Sequence, residues 1–148
     1  MRRRPLLVAL LAVSCPRPRP ASARVPPHRP PDPPGSARRD DRRFSPALLA
    51  AMDRTEALTR ERLAAFPGLR VFRRQAPRDR LDAAEDHYRR ALADGYGWRR
   101  IPDPPLGEPT VGLLAWTDGR HVLAVMGSAP ARAEGGLILL SVLTNLPG

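Results

Sequence analysis

Hydrophobic residues fall along this chain in blocks whose spacing changes from one block to the next. The clearest block is a pair of β-type runs, Val111 to Thr117 and Arg120 to Met126, flanking Asp118-Gly119. Two such runs joined by Asp-Gly predict a tight hairpin, because both turn positions favour residues tolerant of positive φ. A turn of that kind pairs Trp116 with His121, Leu114 with Leu123 and Gly112 with Val125 on one face. Ala115 with Val122, Leu113 with Ala124 and Val111 with Met126 then lie on the other. Both faces are fairly apolar, so neither is marked as the wet one. The run Leu137 to Leu143 is almost wholly apolar and predicts a central strand, with Gly135-Gly136 as the turn before it.

Upstream the period changes to that of helices. Ser45 is a good N-cap and Pro46 suits the first helical position, where its missing N–H is not needed. Phe44 and Leu49 are spaced as a hydrophobic staple. The stripe Leu48, Leu49, Met52, Leu58, Leu63 and Phe66 is imperfect, Glu56 and Arg60 form an i,i+4 pair, and Pro67-Gly68 stops the helix. A short strand, Leu69 to Arg74, follows and ends in a turn at Ala76-Pro77. A second helix is expected from about Asp79 to Asp94. Its stripe, Leu81, Ala84, Tyr88, Ala91 and Leu92, is one-sided, and Gly95 is placed for the left-handed residue that ends it. A proline-broken loop spans Ile101 to Pro109. The resulting order is α-β-α-β-β-β: a small single α+β domain over 44–148, with helices packed on an antiparallel, hairpin-containing sheet. About 100 residues suffice for one modest core. Leu81, Tyr88, Leu92, Leu114, Leu123 and Leu139 are expected to be buried together.

The N-terminal part has neither period. Met1-Arg2-Arg3-Arg4 precedes a short apolar run, Pro5 to Val13, about half the roughly 20 residues a spanning helix needs. A basic start and a short apolar core make a secretory signal peptide, residues 1–14. Leu11-Ala12-Val13-Ser14-Cys15 resembles the lipobox of bacterial lipoproteins. That resemblance covers the first 15 residues and implies lipidation of Cys15 and anchoring on the exported side of the membrane. The alternative ending is Ala21-Ser22-Ala23, a small-x-small site that would release a soluble secreted or periplasmic protein cut after Ala23. Residues 15–43 then read as the lipidated cysteine followed by a disordered Pro/Arg-rich tether. Its prolines leave no room for a helix or an inner strand, and nineteen residues of polyproline II would reach roughly 60 Å.

Charge changes the picture mainly by its location. The chain carries a net +10, with 25 basic residues, every one an arginine. Arg2, Arg3 and Arg4 account for three of these charges. Residues 16–43 hold eight arginines and three aspartates, a balance of +5, while 44–148 hold fourteen arginines and twelve acidic residues, only +2. A nucleic-acid-binding domain carries its basic patch on the folded part. An exported, nearly balanced domain therefore argues against nucleic acid, and points instead to the membrane, an envelope protein or an anionic polymer as partner.

Candidate chemistry is sparse. Cys15 is the single cysteine, so an internal disulfide and a thiolate metal site are both ruled out. The histidines are His28 in the tether, His87 on the second helix and His121 at the hairpin. Glu85-Asp86-His87 are helical neighbours and do not share a face. No metal-ligand spacing and no phosphate-cradling glycine loop is present; Ser128 and Ser141 lack a nucleophile elbow. No catalytic residue, cofactor or metal is assigned. The functional suspects are His87, His121 and Trp116. The expected function is that of an exported envelope lipoprotein acting as a non-catalytic binding or accessory module, with a hairpin face left uncovered by helices as the candidate binding surface. The alternative is a small secreted hydrolase or lyase built around His87 or His121 with an acidic neighbour in a concave pocket.

Overall fold

The computed structural model describes residues 24–102 and 111–148, with side chains from 113 onward in the second stretch. The leader, Cys15, both cleavage sites, the first prolines of the tether and most of the Ile101-to-Pro109 loop lie outside the described residues.

The domain is a small α+β fold with two helices and a six-stranded antiparallel sheet. The strands are β1 (Ala37–Arg38), β2 (Arg70–Pro77), β3 (Arg99–Ile101), β4 (Val111–Thr117), β5 (Val122–Ser128) and β6 (Leu137–Thr144). They lie in the order β1-β2-β6-β5-β4-β3. The last apolar run, β6, is indeed central. Two strands were not expected. β1 and β3 have two and three residues, arginine-rich and too short to show a period, and they form the two edges. Short charged edges discourage pairing with another chain. β2 continues through Ala76 to Pro77 rather than turning there.

The helices are α1 (Pro46–Arg62) and α2 (Leu81–Arg89), the latter prolonged by a π-helical turn over Arg90–Asp94. Successive strand residues point to opposite faces, and each face has its own helix. Val122, Ala124, Met126, Leu139 and Leu143 pack with Phe44, Leu48, Met52 and Leu63 of the α1 segment. Leu123, Val125 and Val142 pack with Tyr88, Leu92, Trp98 and Trp116 on the α2 side, where Ala76, Ile138 and Leu140 continue against Ala84. This is why both faces of the hairpin are apolar: both are covered. It also corrects the expected core. Tyr88, Leu92 and Leu123 are buried together, Leu81 and Leu114 are only partly buried on that face, and Leu139 belongs to the opposite layer.

The hairpin register is shifted by two residues from expectation. Trp116 pairs with Leu123, Ala115 with Ala124 and Leu113 with Met126. A shift of two preserves the faces but opens a four-residue loop, Asp118 to His121. Side chains close it. The Asp118 carboxylate accepts from the Arg120 and His121 amides at 2.7 Å each, and Thr117 Oγ1 accepts from the Gly119 amide at 2.9 Å. Only Gly119 takes positive φ there, so Asp118 does not occupy the position a primed two-residue turn demands. In α2, Gly95 keeps helical φ and Gly97, at φ +72, ends the helix instead. The π turn inserts the extra residue that displaces the stop.

The largest departure concerns residues 24–43, which run along the α2 side of the sheet against β2, in place of an extended tether over this stretch. Pro26, Pro30 and Pro33 are buried. The Arg29 amide donates to Pro147 O at 2.8 Å, Trp98 Nε1 donates to Arg24 O at 2.8 Å, and the Arg29 guanidinium lies 4.1 Å above the Phe72 ring. Proline rings supply apolar surface and their carbonyls remain free to accept, so such a strap can dock without a hydrogen-bond ladder. The strap fills the part of this face that short α2 does not reach.

Candidate functional site

His87 lies on α2 and His121 in the β4–β5 loop, and each is held by its own neighbourhood. His87 Nε2 is 2.7 Å from Pro31 O in the strap. A carbonyl only accepts, so this nitrogen carries the hydrogen. The ring meets Tyr88 edge to face, 5.1 Å between centroids. It borders an open surface groove of about 310 Å³ that Asp86 also lines, but the Asp86 carboxylate is engaged by Arg89 at 3.2 Å. His121 Nδ1 donates to Asp118 Oδ2 at 2.9 Å. Burial pushes the Asp118 carboxyl up, but hydrogen bonds from the His121 backbone and ring and from the Arg120 amide outweigh it and hold the group below its ordinary value. The same carboxylate caps the loop, and Thr117 Oγ1 donates to His121 O at 2.6 Å. Asp118 and His121 thus form a turn clip. Trp116, on β4, is buried on the α2 face of the sheet with Tyr88, Leu92 and Trp98. The three suspects do not share an acidic partner.

A second polar group was missed by the sequence reading. Glu56, expected to pair with Arg60 on the wet side of α1, points inward and is buried. Arg73 of β2 donates to it from Nε at 3.1 and 3.2 Å and from Nη2 at 2.6 Å; Ser141 Oγ of β6 donates at 2.6 Å. Thr55 and Thr59 complete the inward face, each hydroxyl bonded to the carbonyl one turn earlier. The Glu56 hydrogen bond raises the Arg73 guanidinium above its ordinary value against the opposing effect of burial. Leu58, expected on the stripe, is among the exposed large apolar side chains instead. The imperfect stripe was the available signal: a helix whose apolar positions miss the period by one step has room for an inward carboxylate.

The third group is a basic groove of about 370 Å³ at the outer edge of the sheet. Arg38 and Arg39 come from β1 and its exit, Arg73 and Arg74 from β2, and Asp41 from the turn beyond. The β1 ladder pairs only with Arg74 and Gln75 of β2, and the Arg39 amide extends it by donating to Arg73 O at 3.4 Å. Arg74 Nε donates to Asp32 at 2.6 Å, and Asp32 also accepts from Arg29 at 2.7 Å. Burial pushes the Asp32 carboxyl up, but these two guanidinium groups outweigh it and hold it below its ordinary value. Arg39 donates to Asp41 from Nε at 2.6 Å and from Nη2 at 3.4 Å. Its Nη1 is buried without a partner. The basic residues that sequence reading assigned to a solvated tail are therefore folded into a surface.

No protein-family model, no curated protein and no solved structure matches this chain.

Proposed function

We propose that this chain is an exported envelope lipoprotein, held to the membrane through a lipid on Cys15, whose folded domain is a non-catalytic binding or accessory module. The observation that supports this reading is the basic groove on the β1–β2 edge. Guanidinium groups are charged at every physiological pH and make directional hydrogen bonds, so they recognise anions well and transfer protons poorly. A groove built from four of them is suited to binding. The histidines, which would be the natural proton carriers, are each tied into a local contact, one to the strap and one to a turn. The leader adds the location, and the strap explains how a lipidated N-terminus would sit close to the folded body.

The test compares two variants in a strain lacking the protein. His87→Gln with His121→Gln is expected to restore the wild-type envelope phenotype, while Cys15→Ala is expected to leave the membrane fraction. A histidine double variant that folds and localises but behaves like the deletion would favour a hydrolase or lyase. A wild-type mature N-terminus at Arg24 would remove the lipid anchor.

A further inference from the structure

The strap over the α2 face is held as a ligand is held, by groups on the body that meet it one residue at a time. Its exposure repeats every three residues: Pro30 and Pro33 are buried, Arg29 and Asp32 are half-buried, and Pro31 and Pro34 are exposed. Three residues per turn is the period of polyproline II, which makes no hydrogen bonds of its own and leaves its carbonyls to a partner. Two side chains of the body take such carbonyls. Trp98 Nε1 donates to Arg24 O at 2.8 Å, and His87 Nε2 donates to Pro31 O at 2.7 Å. Arg29 lies 4.1 Å above the Phe72 ring and shares Asp32 with Arg74 of β2. Pro30-Pro31-Asp32-Pro33 has the spacing with which PxxP segments dock into aromatic-lined clefts.

On its C-terminal side the strap joins β1 through one turn. Ser36 donates to Pro33 O from its amide at 3.1 Å and from its hydroxyl at 2.6 Å, and Gly35 stands at φ +82. An added Cβ at Gly35 would meet nothing within 4 Å. Backbone conformation, and not space, is therefore what asks for glycine there. With this turn open, the strap runs away from its own body.

We propose that the α2-side cleft is a polyproline-recognition site, filled here by the chain's own strap, and that the strap of a second copy takes the same place when the turn at Gly35 opens. The occupant is fixed by identity: the second copy brings the same prolines to the same Trp98 and His87 donors and the same Arg29–Asp32 pair to Phe72 and Arg74. Exchange of an identical element between two protomers reproduces these contacts and closes as a symmetric dimer. A short connection gives the cis strap an effective concentration of about millimolar, so the closed monomer prevails in dilute solution. Neither the lipid anchor nor the occupant of the basic groove enters into this exchange.

The full chain carrying Gly35→Pro is compared with wild type by sedimentation. Proline locks φ at about −65°, so the turn at +82 cannot close in the variant. Wild type is expected to be monomeric well below millimolar protein, and Gly35→Pro to dimerise reversibly at about tenfold lower concentration or less. Excess synthetic peptide of residues 24–36 should return the variant to monomer, and a scrambled peptide of the same composition should not. Adding Trp98→Phe, which removes the Nε1 donor, should weaken the dimer about threefold or more. A Gly35→Pro chain that stays monomeric, a dimer indifferent to the peptide or to Trp98→Phe, or an equal effect of the scrambled peptide overturns the proposal. Should Gly35→Pro precipitate, Asp32→Asn decides, because it loosens the strap at its ion pairs and keeps the turn. Labelled peptide should bind this variant about fivefold or more tightly than it binds wild type; equal binding to both, or none to either, overturns the proposal.

Discussion

The two faces of the sheet solve the burial problem differently. On the α1 face a long helix turns Thr55, Glu56 and Thr59 inward, and the side-chain polar atoms of all three are hydrogen-bonded: to Ala51 O, to Arg73 and Ser141, and to Thr55 O. On the α2 face a short helix and a proline-rich strap bury Tyr88, Leu92, Trp98 and Trp116. There the Tyr88 hydroxyl is buried with no partner in hydrogen-bonding geometry, and burial, with the Asp32 charge adding to it and the nearby Arg29 and Arg74 guanidinium groups opposing it, pushes its pKa up to about 12. The first face is specified by a polar network, the second by apolar shape. Deleting the inward carboxylate of Glu56 should therefore be costly on the α1 face and deleting the Tyr88 hydroxyl nearly free on the α2 face, with apolar deletions costly on the latter.

The largest effect is expected from Leu92→Ala. Leu92, within the π turn, is fully buried, and truncating such a leucine costs about 2–5 kcal/mol. Denaturant unfolding checks this; a loss below roughly 1 kcal/mol would mean that the α2 face is loosely packed. Glu56→Ala comes next, at about 1–3 kcal/mol, because Ser141 Oγ is left buried without its acceptor while half-exposed Arg73 can turn to water. A cost near zero would show that the α1 network does not specify that face.

A pH effect should single out the strap. The folded Asp32 carboxyl titrates below the 3.8 of a free aspartate. Its contribution is present in full above that value and is lost as pH falls through the lower, folded one. Acid titration of wild type and Asp32→Asn should diverge in that window, the variant lacking the strap-linked loss; coincident curves would contradict the Arg29–Asp32–Arg74 bridge. The smallest effect belongs to Tyr88→Phe. Removing a hydroxyl that has no partner should change stability by less than about 0.5 kcal/mol or raise it. A cost comparable to that of Glu56→Ala would erase the contrast between the faces.

How legible each face was follows from the same contrast. The α2 stripe, Leu81, Ala84, Tyr88 and Leu92, could be read because helix and sheet exchange only apolar side chains. The α1 stripe was misread at Leu58 and Glu56, since an inward carboxylate looks like a surface residue until its partners arrive from strands 17 and 85 positions away. Hairpin faces were legible and their register was not: the alternation of side chains survives a two-residue shift, and the loop is set by Asp118 and Thr117 side-chain contacts. Of the candidate site, His87 and His121 were visible as residue types, but the groove was not. Its arginines lie in a proline-rich stretch whose docking depends on ring contacts and lone carbonyls rather than on any period.

The groove exists only if residues 24–43 are part of the folded body, with Arg38 and Arg39 held at the β2 edge. Amide hydrogen exchange on the full chain tests this most directly. The Arg29 and Arg39 amides, bonded to Pro147 O and Arg73 O, should be protected well above unstructured-chain rates, though less than those of β5 and β6. Exchange of the 24–43 amides at unstructured rates while β5 and β6 stay protected would return this stretch to a tether and dissolve the groove.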